Sequence, residues 1–319
     1  MLRRTLLATP LLASPLLASP ARAQERGLRL VIAFPPGGST DILGRLIAPR
    51  MGALLGATVT PENRSGASGA VASQHVAQSP PDGSVLLLDS GGQAVNPVLM
   101  RGLGFDYARD LAPVTLLATL PLLLVVRAGV AAELAGLLAL LRTNPREARY
   151  GSVGIGARTH LAMAALMRRA GIAAEHIPYR GGADQIQGLL RGDVPMGFTS
   201  VALAAPLLRE GRLVALAVSS AARSPLMPEL PTVAEQGFPG FAQGDWLAML
   251  APAGTPAPVI ARTAGAAKQA VEDPAIAERL AALGLQPAAE GPEALGRFLA
   301  AERAAMAALI AAEGIRLEG

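Results

Sequence analysis

Twice in this chain an apolar run of strand length stops at a glycine-rich turn and resumes at helical spacing. The first unit spans residues 30–47. Leu28–Phe34 reads as a strand, Pro35-Pro36-Gly37-Gly38-Ser39-Thr40-Asp41 stops it, and Ile42, Leu43, Leu46 and Ile47 then recur at helical intervals. The second spans residues 149–170, where Ala148–Val153 runs through Gly154-Ile155-Gly156-Ala157-Arg158-Thr159 into a helix over His160–Ala170. Strands that feed helices commit a chain to an α/β sheet, and ligands of open α/β sheets sit beyond the C-terminal ends of the strands. Helix N-termini there present unpaired N–H groups and partial positive charge, which suit a carboxylate or a phosphate. Glycine lets the backbone come close enough to offer them. Two such loops face to face form an anion clamp, although the residues alone are equally compatible with ordinary strand-to-helix turns. Ser39 or Thr40 is the expected N-cap of the first helix, and Asp41 is an acid in its first turn.

The alternation continues. Further strands are predicted at Val59–Thr60, Val85–Leu88, Leu122–Val126, His176–Pro178, Pro195–Ser200 and Val214–Ser219. Helices are predicted over Ala70–Gln78, Glu133–Arg142, Asp184–Arg191 and Pro206–Glu210, and the chain after Trp246–Leu250 reads mostly as Ala-rich helix. This order predicts a mostly parallel sheet covered on both faces.

Met1–Ala23 reads as an export signal: Arg3 and Arg4, the apolar stretch Leu6–Leu17, and an A-x-A site at Ala21-Arg22-Ala23. Arg3-Arg4 also suits a twin-arginine signal. Pro10, Pro15 and Pro20 argue against a membrane span over these residues. The formal net charge of +4 looks basic, but the three arginines of this segment carry most of it. Without them the chain holds 25 basic and 24 acidic residues, which gives no electrostatic reason to expect nucleic acid. Aromatic residues, at 3%, supply no stacking surface for single strands either.

Other chemistries fail on their motifs. There is no Cys, so thiolate metal sites and a Cys nucleophile are excluded. Gly154-Ile155-Gly156 lacks the third glycine of a dinucleotide fingerprint, because position 159 is Thr. The three histidines, His75, His160 and His176, have no metal-ligand spacing. A serine hydrolase using Ser39 or Ser152 with His160 is the enzyme alternative, but no G-x-S-x-G elbow is present. No cofactor is predicted.

The loops carry a family likeness. Ile32-Ala33-Phe34-Pro35-Pro36-Gly37-Gly38-Ser39-Thr40-Asp41 resembles the first signature of the substrate-binding proteins of tripartite tricarboxylate transporters, the Bug family. The resemblance continues through Glu62-Asn63-Arg64, Pro81-Asp82-Gly83, Tyr150–Gly156 with His160, and Pro178-Tyr179-Arg180-Gly181-Gly182. Leu230–Gly237 and Ala251–Pro256 match later stretches, so the ordered set covers nearly all of the chain after residue 23.

The resemblance implies a type II periplasmic binding protein, with two α/β domains and a ligand cleft between them. Domain 1 would hold residues 24–123 plus 249–319, and domain 2 residues 124–248. It implies a ligand carboxylate between Gly37, Gly38, Ser39, Thr40 and Asp41 on one side and Ser152, Gly154, Gly156, Ala157, Arg158, Thr159 and His160 on the other. Tyr179, Arg180, Gly181 and Gly182 would lie alongside, with Ser90 closing the first-domain side. It implies a periplasmic protein, a monomer, that closes on a small carboxylate and delivers it to membrane permease subunits, with a sensor input as the alternative. Three departures stand out: Ala157 where the second loop usually carries Ser or Thr, Ser65 and Ser68 where Pro and Gly are usual, and Met306 in place of a frequent Trp.

Overall fold

The computed structural model describes residues 27–224 and 226–314; the expected export signal lies outside them. The first unit forms β1 (Leu28–Ile32) and α1 (Ser39–Leu55). Side chains alternate along β1: Leu28, Leu30 and Ile32 enter one apolar cluster, and Val31 and Ala33 enter another on the opposite face. β1 lies parallel between β2 (Val59–Asn63) and β3 (Val85–Asp89). α2 (Ala70–Ala77) precedes β3 and α3 (Gly92–Leu99) follows it.

Next comes β4 (Leu111–Arg127), a strand of 17 residues that organises the molecule. The second half of the chain adds α4 (Leu134–Thr143), β5 (Arg149–Ser152), α5 (Arg158–Arg169), β6 (Glu175–Pro178), α6 (Gly182–Arg191), β7 (Met196–Ser200), α7 (Val201–Arg209) and β8 (Leu213–Val218). The chain returns through β9 (Gly244–Pro252) to α8 (Ala257–Val271), α9 (Pro274–Ala282), β10 (Gln286–Glu290) and α10 (Pro292–Glu313).

The strand order is β2-β1-β3-β9-β4-β7-β5-β6, with β10 and β8 also paired to β4. The sheet is mixed, and the expectation of a mostly parallel one is corrected. β9 runs antiparallel to both β3 and β4, while β4 is antiparallel to β7, β8 and β10. The reason is that β4 and β9 are traversed in opposite directions as the chain leaves one strand set and returns to it. β4 pairs β9 up to Pro121↔Gly244 and pairs β7 from Leu122↔Ser200 onward. Pro113 and Pro121 fit because the first lies at a register shift and the second at the change of partner.

Each strand set has helices on both faces. Leu43, Ile47 and Met51 of α1, with α8 and α9, cover one face of the first set, and α2, α3 and α10 cover the other. α4 and α5 cover one face of the second set, and α6 and α7 the other. A fully buried Leu or Ile at these positions contributes about 1.5–3 kcal/mol of transfer free energy. Among the described residues no helix is long and apolar enough to cross a membrane.

Candidate functional site

The first loop is held from beneath. Gly37 adopts φ +84°, and Gly38, not Ser39 or Thr40, is the N-cap of α1. Asp41 is buried, and its carboxylate accepts the Gly37 N–H at 3.0 Å, Arg45 Nε at 2.8 Å and Asn63 Nδ2 at 2.8 Å. Asn63 Nδ2 also donates to Phe34 O at 2.9 Å. Asp41 is thus a strut under the turn. The N–H groups of Ser39, Thr40 and Asp41 open the helix and have no acceptor within it.

The second loop has its own props. His160 Nδ1 accepts the Gly156 N–H at 3.0 Å, and Thr159 Oγ1 accepts the Val153 N–H at 3.1 Å. Gly156 has φ +75°, and a Cβ there would stand 3.0 Å from Leu99 and 3.1 Å from Val95, so the turn needs glycine on both counts. Ser152 is fully buried; its Oγ lies 2.9 Å from Gly154 O and shares a hydrogen bond with His176 Nε2 at 2.7 Å. The His176 ring stacks on His160 at 3.8 Å between centroids. Burial holds His176 at a pKa of about 4, and burial together with His176 holds His160 at about 3. Both rings are neutral near pH 7. Ser152 therefore meets His176 rather than His160, in a buried packing knot.

The two loops meet at a cavity of about 170 Å³. Of the residues singled out in the sequence, Gly38, Ser39, Thr40, Ser90, Ala157, Arg158, Thr159, Gly181 and Gly182 line it. Gly37, Asp41, Ser152, Gly156 and His160 are not among its lining residues. Gly154, Tyr179 and Arg180 line an adjoining concavity with Pro35 and Ser68. Arg158 is not a surface charge: it is 7% exposed, donates from Nε to Gly244 O at 2.7 Å, and pairs with Glu302 of α10 at 3.2 Å. Met306, also on α10, is buried in the core and touches the same guanidinium. Trp246 packs in the core, with Nε1 donating to Glu302 at 2.9 Å.

Sequence reasoning missed part of the lining. Thr199 and Ser200 at the end of β7, Asp184 at the start of α6, and Asp245 at the start of β9 all face the cavity, with Leu120, Leu122 and Leu247 as an apolar wall. Thr199-Ser200 ends a strand and opens a helix, so the strand-end rule applied at the two glycine loops also reaches it. Ser68 is the other addition. Its φ is +49°, and its Oγ donates to Ile155 O at 2.6 Å, joining the first strand set to the second. Among the described residues no group of three or more His, Asp or Glu could hold a metal.

Two helix-opening loops, one from each strand set, with a cavity at their meeting, define the periplasmic-binding-protein class of fold. R. palustris Rpa4515, solved with adipate, superposes with a TM-score of 0.88 at 32% identity, covering 91% of this chain and 98% of that one. The periplasmic binding protein BugD gives 0.87 at 30% identity, covering 91% and 98%. MatC from Rhodopseudomonas palustris, solved with malate, gives 0.83 at 29%, covering 89% and 98%. A relative from Pseudomonas sp. strain P51, the UPF0065 protein in the tcbD-tcbE intergenic region, is 37% identical over 279 residues, 87% of this chain and 83% of its own. Residues 43–315 match the tripartite tricarboxylate transporter family receptor, TctC, and the chain belongs to that family of solute-binding proteins.

Proposed function

We propose that this protein captures a small carboxylate between its two glycine loops and delivers it, from outside the cytoplasm, to the permease of a tripartite tricarboxylate-type transporter. The observation that carries the reading is the convergence of the α1 and α5 N-termini on one cavity, through Ser39 and Thr40 on one side and Ala157 to Thr159 on the other. Six backbone N–H groups open these helices, at Ser39, Thr40, Asp41, Arg158, Thr159 and His160. Those turned to the cavity neutralise an anion without a dedicated lysine and leave binding reversible. Two relatives of the same fold were solved with adipate and with malate, which supports an acid as ligand. Delivery to a permease rests on family membership, and export on the signal-like segment Met1–Ala23.

In this reading the lobes are residues 24–123 with 249–319 and residues 124–248. The change of partner on β4 after Pro121, and the start of β9 at Gly244, support a crossing on each of these strands, a few residues ahead of those bounds. Ligand bridging both loops favours the closed arrangement. The protein performs no chemistry on its ligand. The buried Ser152 hydroxyl and its low-pKa partner His176 are a structural pair, unsuited to turnover.

The test is thermal unfolding against a panel of small carboxylates and their uncharged amides. A ligand that binds only the native state at 100 times its Kd adds about 2.7 kcal/mol, which raises the midpoint by several degrees. A rise with acids and none with amides is expected. No rise with any acid, together with no acid released from the denatured protein, overturns the reading. Gly38→Asp sharpens the test, because a Cβ at Gly38 meets nothing closer than 3.7 Å and the backbone there suits any residue. The variant is expected to fold and to lose at least about tenfold in carboxylate affinity through like-charge repulsion.

A further inference from the structure

Asp245, at the start of β9, is an acid on the wall of the cavity that the two glycine loops enclose. Its Oδ1 accepts the N–H groups of Trp246 at 2.9 Å and Gly91 at 3.2 Å, while Oδ2 accepts nothing from the described residues. Three charged groups surround it: Arg158 of α5, Glu302 of α10 and Asp89 at the end of β3. Asp184 of α6 lines the same cavity at an exposed position. Arg158 supplies the one positive charge of the lining, and its bonds lie elsewhere. It pairs with Glu302 at 3.2 Å and donates from Nε to Gly244 O at 2.7 Å. Burial outweighs its pull and holds the Asp245 carboxyl above the ordinary 3.8.

A ligand carboxylate would enter this cavity of about 170 Å³ beside Asp245. Two carboxylates enclosed together do not both stay ionised; they share a proton. Leu120, Leu122 and Leu247 on the wall weaken the screening between them and sharpen the repulsion. Oδ1 is held by two backbone donors, so Oδ2 is the oxygen free to carry the proton.

From this enclosure of two acids in one small cavity, we infer that Asp245 meets the ligand as a neutral acid, its Oδ2–H donating to a ligand oxygen, so that each anion is bound together with one proton. The proton comes from water and returns to water when the ligand leaves, and no bond of the ligand changes. The inference rests on the carboxylate reading of the preceding subsection and adds the proton to what the site takes up. Wherever free Asp245 is ionised, the liganded protein holds one proton more than the free protein. Affinity therefore falls as pH rises, by up to about tenfold per pH unit. A clamp made only of backbone N–H groups and hydroxyls has no titrating group and a flat profile.

The test is calorimetric titration of the purified protein with acetate, succinate, malate and adipate at pH 7 and pH 9. Those that bind are expected to weaken at least about tenfold between the two. They should also take up a proton, read as a difference in heat between buffers of unlike ionisation enthalpy. Asp245→Asn keeps an oxygen for the Trp246 and Gly91 N–H groups and offers an amide N–H that needs no proton. Its affinity should be the same at both pH values and exceed the parent's at pH 9. Asp89→Asn, which removes the neighbouring titrating acid, should keep the parent's pH dependence.

An affinity in the parent that does not change with pH overturns the inference and leaves the carboxylate reading standing. So does a pH dependence that survives in Asp245→Asn or disappears in Asp89→Asn. If Asp245→Asn fails to fold, the buffer comparison on the parent decides: no proton taken up overturns the inference. Failure of all four acids to bind, with no acid released on denaturation, overturns both readings.

Discussion

Asp89 illustrates what burial does to a single residue. It ends β3 with no exposed surface, accepts Ser90 N–H at 2.8 Å, Gln93 Nε2 at 2.6 Å and Ser73 Oγ at 3.1 Å, and still has its pKa raised by burial to about 7. The folded chain therefore holds a proton that the unfolded chain releases near its ordinary value of 3.8. Stability from this group is full below that value and is lost as pH rises through about 7. Asp89→Asn cannot ionise, so its unfolding midpoint relative to the parent should climb by several degrees from pH 5 to pH 8; a constant difference would refute the assignment. His160 and His176 act with the opposite sign. Their folded pKa values lie below the ordinary 6.5, so their contribution is full above 6.5 and is lost as pH falls toward about 3 for His160 and about 4 for His176. His160→Gln keeps an acceptor for the Gly156 N–H, and its midpoint relative to the parent should rise as pH falls from 6.5 to 4. At this scale the sequence was partly legible. The glycine loops and their neighbours were readable because strand-loop-helix spacing is local. Thr199 and Ser200 were within reach of the same strand-end rule, but Asp245 was not, because a lone polar residue acquires meaning only from what faces it.

Among the elements, those that obey local rules were readable and those held by partners were not. β1, β3, α1 and α5 show in the apolar spacing of their own residues. α3 has Gly92 and Pro97 against it, and is fixed by its place between β3 and α10, with Arg303 of α10 donating to Gln93 O at 3.2 Å. β10, Gln-Pro-Ala-Ala-Glu, has no strand pattern and exists by pairing with β4. The segment before α2 is strained and bridges the two strand sets. Ala67 and Ser68 both have positive φ, and the Ser68 hydroxyl latches to Ile155 O across the two strand sets. Ser68→Ala keeps the strained backbone and loses the bond, whereas Ser68→Gly loses the bond and relieves the strain. Urea unfolding should therefore find Ser68→Ala less stable than the parent by about 1 kcal/mol. Ser68→Gly should be more stable than Ser68→Ala by about 1 kcal/mol or more. Equal stability of the two variants would remove strain from the account.

The whole molecule turns on two crossings, β4 after Pro121 and the chain entering β9 at Gly244. Ser219 ties them together: its Oγ accepts the Leu122 N–H at 2.9 Å and donates to Gln243 O. In the proposed reading these two strands are the hinge about which one strand set rotates against the other. Small-angle scattering should show the radius of gyration fall when a binding carboxylate saturates the protein; an unchanged radius would argue against closure. The sequence by itself determined the α/β class, the two glycine loops and the family, since each is written in contiguous residues and their order. Only the tertiary structure decided the mixed sheet, the return of β9 between β3 and β4, and the pairing of Arg158 with Glu302 across 144 positions of chain. The reason is physical: spacing along a chain fixes which face of an element is apolar, but the charge and polarity of a cavity are set by residues from distant elements that meet only after the cores have packed.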